Sequence, residues 1–150
     1  MACAYGLFEL LKAKGVDAEI CYKGSIDKTV TAKMVRLLDI AVKEYMSADK
    51  FSKEDEIILV DAQKGNSNII DMNGHEIICI DHHPVYEHVD YRFSDIRPEV
   101  GACASIIASY YFDRRTVWEV RRESVKAAYP KSKAARQDPE YHETRETLWE

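Results

Sequence analysis

The sequence predicts an α/β fold, a mainly parallel sheet with helices on both faces. Two unbroken apolar runs, Ile57-Ile58-Leu59-Val60 and Ile77-Ile78-Cys79-Ile80, have the length and composition of strands buried on both sides. Helical spacing of apolar residues surrounds them, at 1–14, 29–38 and 101–112. Helix and strand thus alternate, and parallel strands joined by crossovers are the natural solution to that order.

Taken in order, residues 1–14 carry Tyr5, Phe8 and Leu11 at helical spacing, widened by Leu7 and Leu10, with Gly15 placed as the stop. Ala2, Cys3 and Ala4 are small enough for close packing on a sheet. Residues 18–22 read as a short strand, and Gly24 turns the chain. Residues 29–38 predict a helix with Val30, Met34, Leu37 and Leu38 on one face. Residues 39–55 predict a short element followed by an exposed loop. Residues 56–61 form a buried strand that ends on Asp61. The Gly- and Asn-rich residues 62–74 predict a loop around one helical turn at 69–72. The strand through Ile80 follows, then an alternating edge strand over 89–95 and an apolar helix over 101–112 that opens on small residues.

After Asp113 arginines and lysines crowd a stretch with few large aliphatic residues, which supports at most a weak helix over 116–128. The predicted organisation is one domain over 1–112 and a polar, charged extension over 113–150, helical or partly disordered.

Composition narrows the function. A net charge of -5 over 150 residues argues against long duplex nucleic acid as a partner. A small anion or a short oligonucleotide stays open, because a bound metal can supply local positive charge. No apolar run suits a membrane span and the amino end lacks a signal-peptide pattern, which predicts a cytoplasmic protein. Cys3, Cys21, Cys79 and Cys103 are scattered without a CxxC pair, so they read as free thiols, mostly buried, rather than a zinc site.

The chemistry gathers where the apolar runs end. One stops at Asp61, the other at Asp81-His82-His83-Pro84. Open α/β sheets bind their ligands beyond the carboxyl ends of the strands. If the two strands are neighbours, those ends lie about 5 Å apart. Asp61 and one histidine could then share a metal, for which carboxylate and imidazole donors suit manganese, iron, cobalt or zinc better than calcium. Side chains alternate along a strand, so one histidine would ligate and the other face a substrate, with Asp81 orienting an imidazole. Hydrogen-bonded structural residues are the alternative reading of the same pattern. His75 and His88 read as turn residues.

These residues carry a resemblance. Ile80-Asp81-His82-His83-Pro84, with Ile57-Ile58-Leu59-Val60-Asp61 before it and Gly101-Ala102-Cys103-Ala104-Ser105 after it, resembles the DHH phosphoesterase family over about residues 1–112. The family includes RecJ-type exonucleases, oligoribonuclease and cyclic-dinucleotide phosphodiesterases, and type II inorganic pyrophosphatases. The resemblance implies hydrolysis of a phosphodiester or phosphoanhydride by two manganese ions that activate a water, on a nucleotide or short oligonucleotide. It implies Asp61 and His82 as metal ligands, Asp81 as the supporting acid and His83 facing the substrate phosphate. It also implies that backbone N–H groups at Gly101 and Ala102 meet the anion. The family's first motif, a His and two Asp on a preceding strand, has no counterpart. Nor do a later metal-binding Asp and the glycine-rich substrate domain. The expectation is therefore a chain truncated at both ends, with one metal ion or none and impaired catalysis. The alternatives are a non-catalytic α/β binding module and an incomplete gene product.

Overall fold

The computed structural model describes residues 1–45, 52–67, 69 and 72–113. The elements run α1 (Ala2–Ala13), β1 (Ile20–Tyr22), α2 (Thr29–Leu37), β2 (Val42–Glu44), β3 (Glu56–Val60), β4 (His75–Asp81), β5 (Phe93–Ile96) and α3 (Cys103–Phe112). The elements fall where predicted, with β2 as the short element expected over 39–55, but helix and strand alternate only as far as β2: β2 to β5 follow one another with no helix between them among the described residues. All described strand pairs are parallel: β1 with β2, and β3-β4-β5 as a three-stranded sheet with β4 at its centre.

β4 is the central strand because it can afford burial on both faces. Ile77 to Asp81 are each at most 1% exposed. Ile78 and Ile80 pack with Leu7, Leu10 and Leu11 of α1 and with Ile106, Ile107 and Tyr110 of α3. Burying each such isoleucine is worth roughly 1.5–3 kcal/mol. Cys79 faces the other way, onto Ile57 and Leu59.

Ile69, Met72 and Tyr91 pack on that second face, and among the described residues no helix covers it. The connection from β3 to β4 is long enough to cross between parallel strands, but its Gly and Asn residues favour turns over a helix. The predicted helical turn at 69–72 falls partly outside the described residues. The weak helix at 116–128 lies wholly outside them.

α1 ends as Gly15 suggests. Gly15 has φ +73, its N–H donates to the Lys12 carbonyl and the Val16 N–H donates to the Leu11 carbonyl, the paired bonds of a Schellman stop. α2 differs from expectation in packing rather than in position. Val30 is 81% and Leu37 78% exposed, so much of its apolar face is open, while Met34 on the same face is half-buried. The edge strand lies later than expected, because Phe93 and not Val89 opens the ladder with Ile78. His75 opens β4 rather than sitting on a turn.

The two sheets do not join. A groove of about 840 Å³ separates them, lined on one side by residues 18–21, on the other by β3, with Leu7 and Leu11 of α1 between. Among the described residues β1 and β3 each pair on one side only.

Candidate metal centre

The end of β4 is pinned from both sides. The Asp61 N–H donates to the Ile80 carbonyl at 2.9 Å, and the Arg97 N–H donates to the Asp81 carbonyl at 2.9 Å. Asp61 and Asp81 therefore sit on adjacent strand ends, as the two apolar runs predicted. A turn from Arg97 to Val100 (N–H to carbonyl, 3.0 Å) then brings the Val100 carbonyl to His82.

Past Asp81 the strand stops, and this overturns the expectation that the histidines point opposite ways. Alternation holds only while the chain is extended. Here the chain bends at His82 and His83, and the two rings lie 4.3 Å apart, tilted by 49°. One donor atom from each of Asp61, Asp81, His82 and His83 falls within 4.8 Å of the others.

Each histidine has its Nδ1 engaged. His82 Nδ1 is 3.2 Å from the Val100 carbonyl oxygen, which accepts only, so Nδ1 carries the proton. His83 Nδ1 is 2.8 Å from Asp81 Oδ1 and donates in the same way. When the imidazoles are neutral, both Nε2 atoms are left with a lone pair, the tautomer that ligating histidines take when a carbonyl or carboxylate holds the other nitrogen.

Asp81 is wholly buried and its acceptor sites are in use. Oδ1 receives the His82 N–H at 2.8 Å as well as His83 Nδ1, and Oδ2 receives Gln63 Nε2 at 2.7 Å. Burial by itself raises this carboxyl, but the bonds from Gln63, His83 and the His82 N–H outweigh it and hold Asp81 below the ordinary aspartate value. Asp81 in turn raises His83, by hydrogen bond first and charge second. Its geometry is that of an orienting acid.

Asp61 differs on every count. Its backbone has φ +62, a conformation that costs a residue other than glycine free energy and concentrates at functional sites. Its side chain is 43% exposed, yet Oδ1 is shielded from solvent and has no hydrogen-bond partner among the described residues. That oxygen lies 3.4 Å from His82 Nε2. A carboxylate and an imidazole lone pair facing each other repel unless a metal cation lies between them or Nε2 takes up a proton. Two donors bound to one ion at about 2.1 Å each stand about this far apart. Asp61 and His82 therefore fit a divalent metal, with Asp81 and His83 in the same cluster.

Beneath the site, the Cys103 thiol of α3 donates to the Ile80 carbonyl at 3.5 Å, and the neighbouring thiols of Cys3 and Cys103 push each other's pKa apart, Cys3 down and Cys103 up. Burial raises Cys79 to about 12. All three are buried free thiols, as the spacing suggested. Gly101 and Ala102 are exposed and precede α3, with Ala102 as its N-cap. His88 is exposed and outside the cluster.

Two partners were not foreseen. Gln63 is buried because three acceptors and a donor converge on it, whereas glutamine ordinarily lies at the surface. The Val100 carbonyl belongs to backbone that no side-chain pattern marks. The only signal for Gln63 was its place two residues past a strand-end acid.

Among known proteins, the chain is 32% identical over 115 residues to an uncharacterized protein of Methanocaldococcus jannaschii. The match takes in 75% of this chain and 23% of that protein, so the chain spans about a quarter of its relative's length. No family model matches, and no solved structure matches. Among the described residues no helix is long and apolar enough to cross a membrane. The class the coordinates define is thus a small α/β fold of parallel strands with an Asp/His cluster at the strand ends.

Proposed function

We propose that this chain is one wall of a DHH-type, metal-dependent phosphoesterase whose substrates are nucleotides or short oligonucleotides, cleaved at a phosphodiester or phosphoanhydride. The observation that supports this most is the unpartnered Oδ1 of Asp61 facing His82 Nε2 across neighbouring parallel strands. Asp61 and His82 hold a divalent ion, manganese by the resemblance. The ion supplies positive charge against a phosphate and lowers the pKa of bound water. Asp81 keeps His83 with Nε2 outward, where it meets the phosphate.

Two-ion hydrolysis needs more ligands than Asp61 and His82. The resemblance puts the others, a His and two Asp, at the end of one more parallel strand. Among the described residues the groove between β1 and β3 has an unpaired strand edge on each wall, and α1 lies over it. A parallel strand seated there would end beside Asp61. It would also join both sheets into the six-stranded order of a doubly wound fold, with the site at its switch point. The 150-residue chain by itself therefore binds one ion and hydrolyses weakly or not at all. A manganese-dependent assay on bis(p-nitrophenyl) phosphate checks this. A family-like rate that disappears in Asp61→Ala refutes the impaired activity.

The full engagement of Asp81 favours a second reading, a non-catalytic metal-binding module, since it leaves few donors for a second ion. Calorimetric titration with Mn²⁺ of the chain extended by an upstream His-x-Asp-x-Asp strand separates the two. Two ions and turnover support the enzyme, and one ion without turnover supports the module.

A further inference from the structure

We infer that Gln63 is a positioning residue of this site, a clamp that sets the orientation of His83 through Asp81. That His83 then faces a phosphate rests on the phosphoesterase reading above; the clamp itself rests on geometry.

Gln63 is 2% exposed, and its carboxamide is used at both ends. Nε2 donates to Asp81 Oδ2 at 2.7 Å and reaches the carbonyls of Pro84 at 3.1 Å and His83 at 3.3 Å. Oε1 accepts the Tyr86 N–H at 3.0 Å. This fixes which way the amide points, because the flipped group would set an oxygen against a carboxylate and two carbonyls. Glutamate would do the same with a charge, and asparagine is one methylene short.

The consequence reaches the imidazole. With Oδ2 held by Gln63, the Asp81 carboxylate turns Oδ1 toward the His82 N–H and His83 Nδ1. The same amide ties down the backbone that follows His83. His83 side-chain exposure is 46%, so packing alone does not hold the ring. The clamp and the carboxylate select the tautomer with the proton on Nδ1 and leave Nε2 as the outward acceptor.

The test uses the ¹⁵N-labelled full chain and Gln63→Met, which keeps the length and removes the amide. Long-range ¹H–¹⁵N spectra at alkaline pH, where the imidazoles are neutral, read the His83 tautomer. The wild type shows the Nδ1–H form. In Gln63→Met the Nε2–H fraction rises by about tenfold, the change that losing one hydrogen bond of ordinary net strength allows, while His82 keeps its Nδ1–H form through Val100. An unchanged His83 tautomer in a folded Gln63→Met overturns the inference. Should that variant not fold, the wild type decides. Gln63 side-chain amide protons that exchange slowly, with a nuclear Overhauser effect to the Tyr86 N–H, support the clamp; exchange at the rate of a free side-chain amide overturns it. Mn²⁺ titration of the wild type reports on the phosphoesterase reading separately, since that reading can fail with the clamp intact and the clamp can fail with metal bound.

Discussion

His82 Nε2 and Asp61 Oδ1 stand 3.4 Å apart, each presenting a lone pair to the other, on the ends of two hydrogen-bonded parallel strands. Such an arrangement trades stability for ligand binding, and Asp61→Asn exposes the trade. The amide donates to His82 Nε2, and asparagine tolerates the positive φ at this position better than most residues. In mildly alkaline, metal-free buffer Asp61→Asn is expected to stabilise the chain by about 0.5–1.5 kcal/mol, the net worth of one hydrogen bond. Urea unfolding measures it. A loss of stability would show that the facing pair is not frustrated.

Asp81 should behave in the opposite way. Each of its oxygens accepts from a donor in a site closed to solvent. Asp81→Asn forces an NH₂ group against either Gln63 Nε2 or His83 Nδ1. The expected cost is about 1–3 kcal/mol, again from urea unfolding.

The same pair sets a pH profile in metal-free buffer. Asp81 is depressed, so its stabilisation is present above the ordinary aspartate pKa and is lost as pH falls through the lowered value. His83 is raised, so its stabilisation is present below the ordinary imidazole pKa and is lost as pH rises through the raised value. The pair's contribution is complete between about pH 4 and about pH 6.5 and declines on both sides. Thermal melts across pH check this: His83→Ala removes the alkaline decline, and Asp81→Asn removes both.

Packing yields a contrasting pair. Ile78 is fully buried between the sheet and helices α1 and α3, and Ile78→Ala is expected to cost about 2–5 kcal/mol. Leu37 is 78% exposed, and Leu37→Ala is expected to stay within about 0.5 kcal/mol. A larger cost at Leu37 would reveal a partner for the apolar face of α2.

The two apolar strands were legible because long apolar runs admit few placements, but only β4 is buried on both faces; in β3, Ile58 and Val60 are half-buried, because periodicity does not show that a groove lies beside them. Asp61 and Asp81 were legible because each ends such a run. The histidine geometry was not, since strand alternation was extended one residue past the point where β4 bends. The face of α2 misled for a related reason: periodicity shows which side is apolar, not whether anything packs against it. Gln63 and the Val100 carbonyl act through long-range contacts between a loop and a strand end, and local patterns do not encode them.

Titration of the chain with Mn²⁺, followed by calorimetry and electron paramagnetic resonance, tests the proposal that Asp61 and His82 hold a divalent ion. Saturable uptake of one ion, abolished in both Asp61→Ala and His82→Ala but retained in Leu37→Ala, is the predicted result. No uptake by the folded wild type, or uptake that survives loss of Asp61, contradicts it.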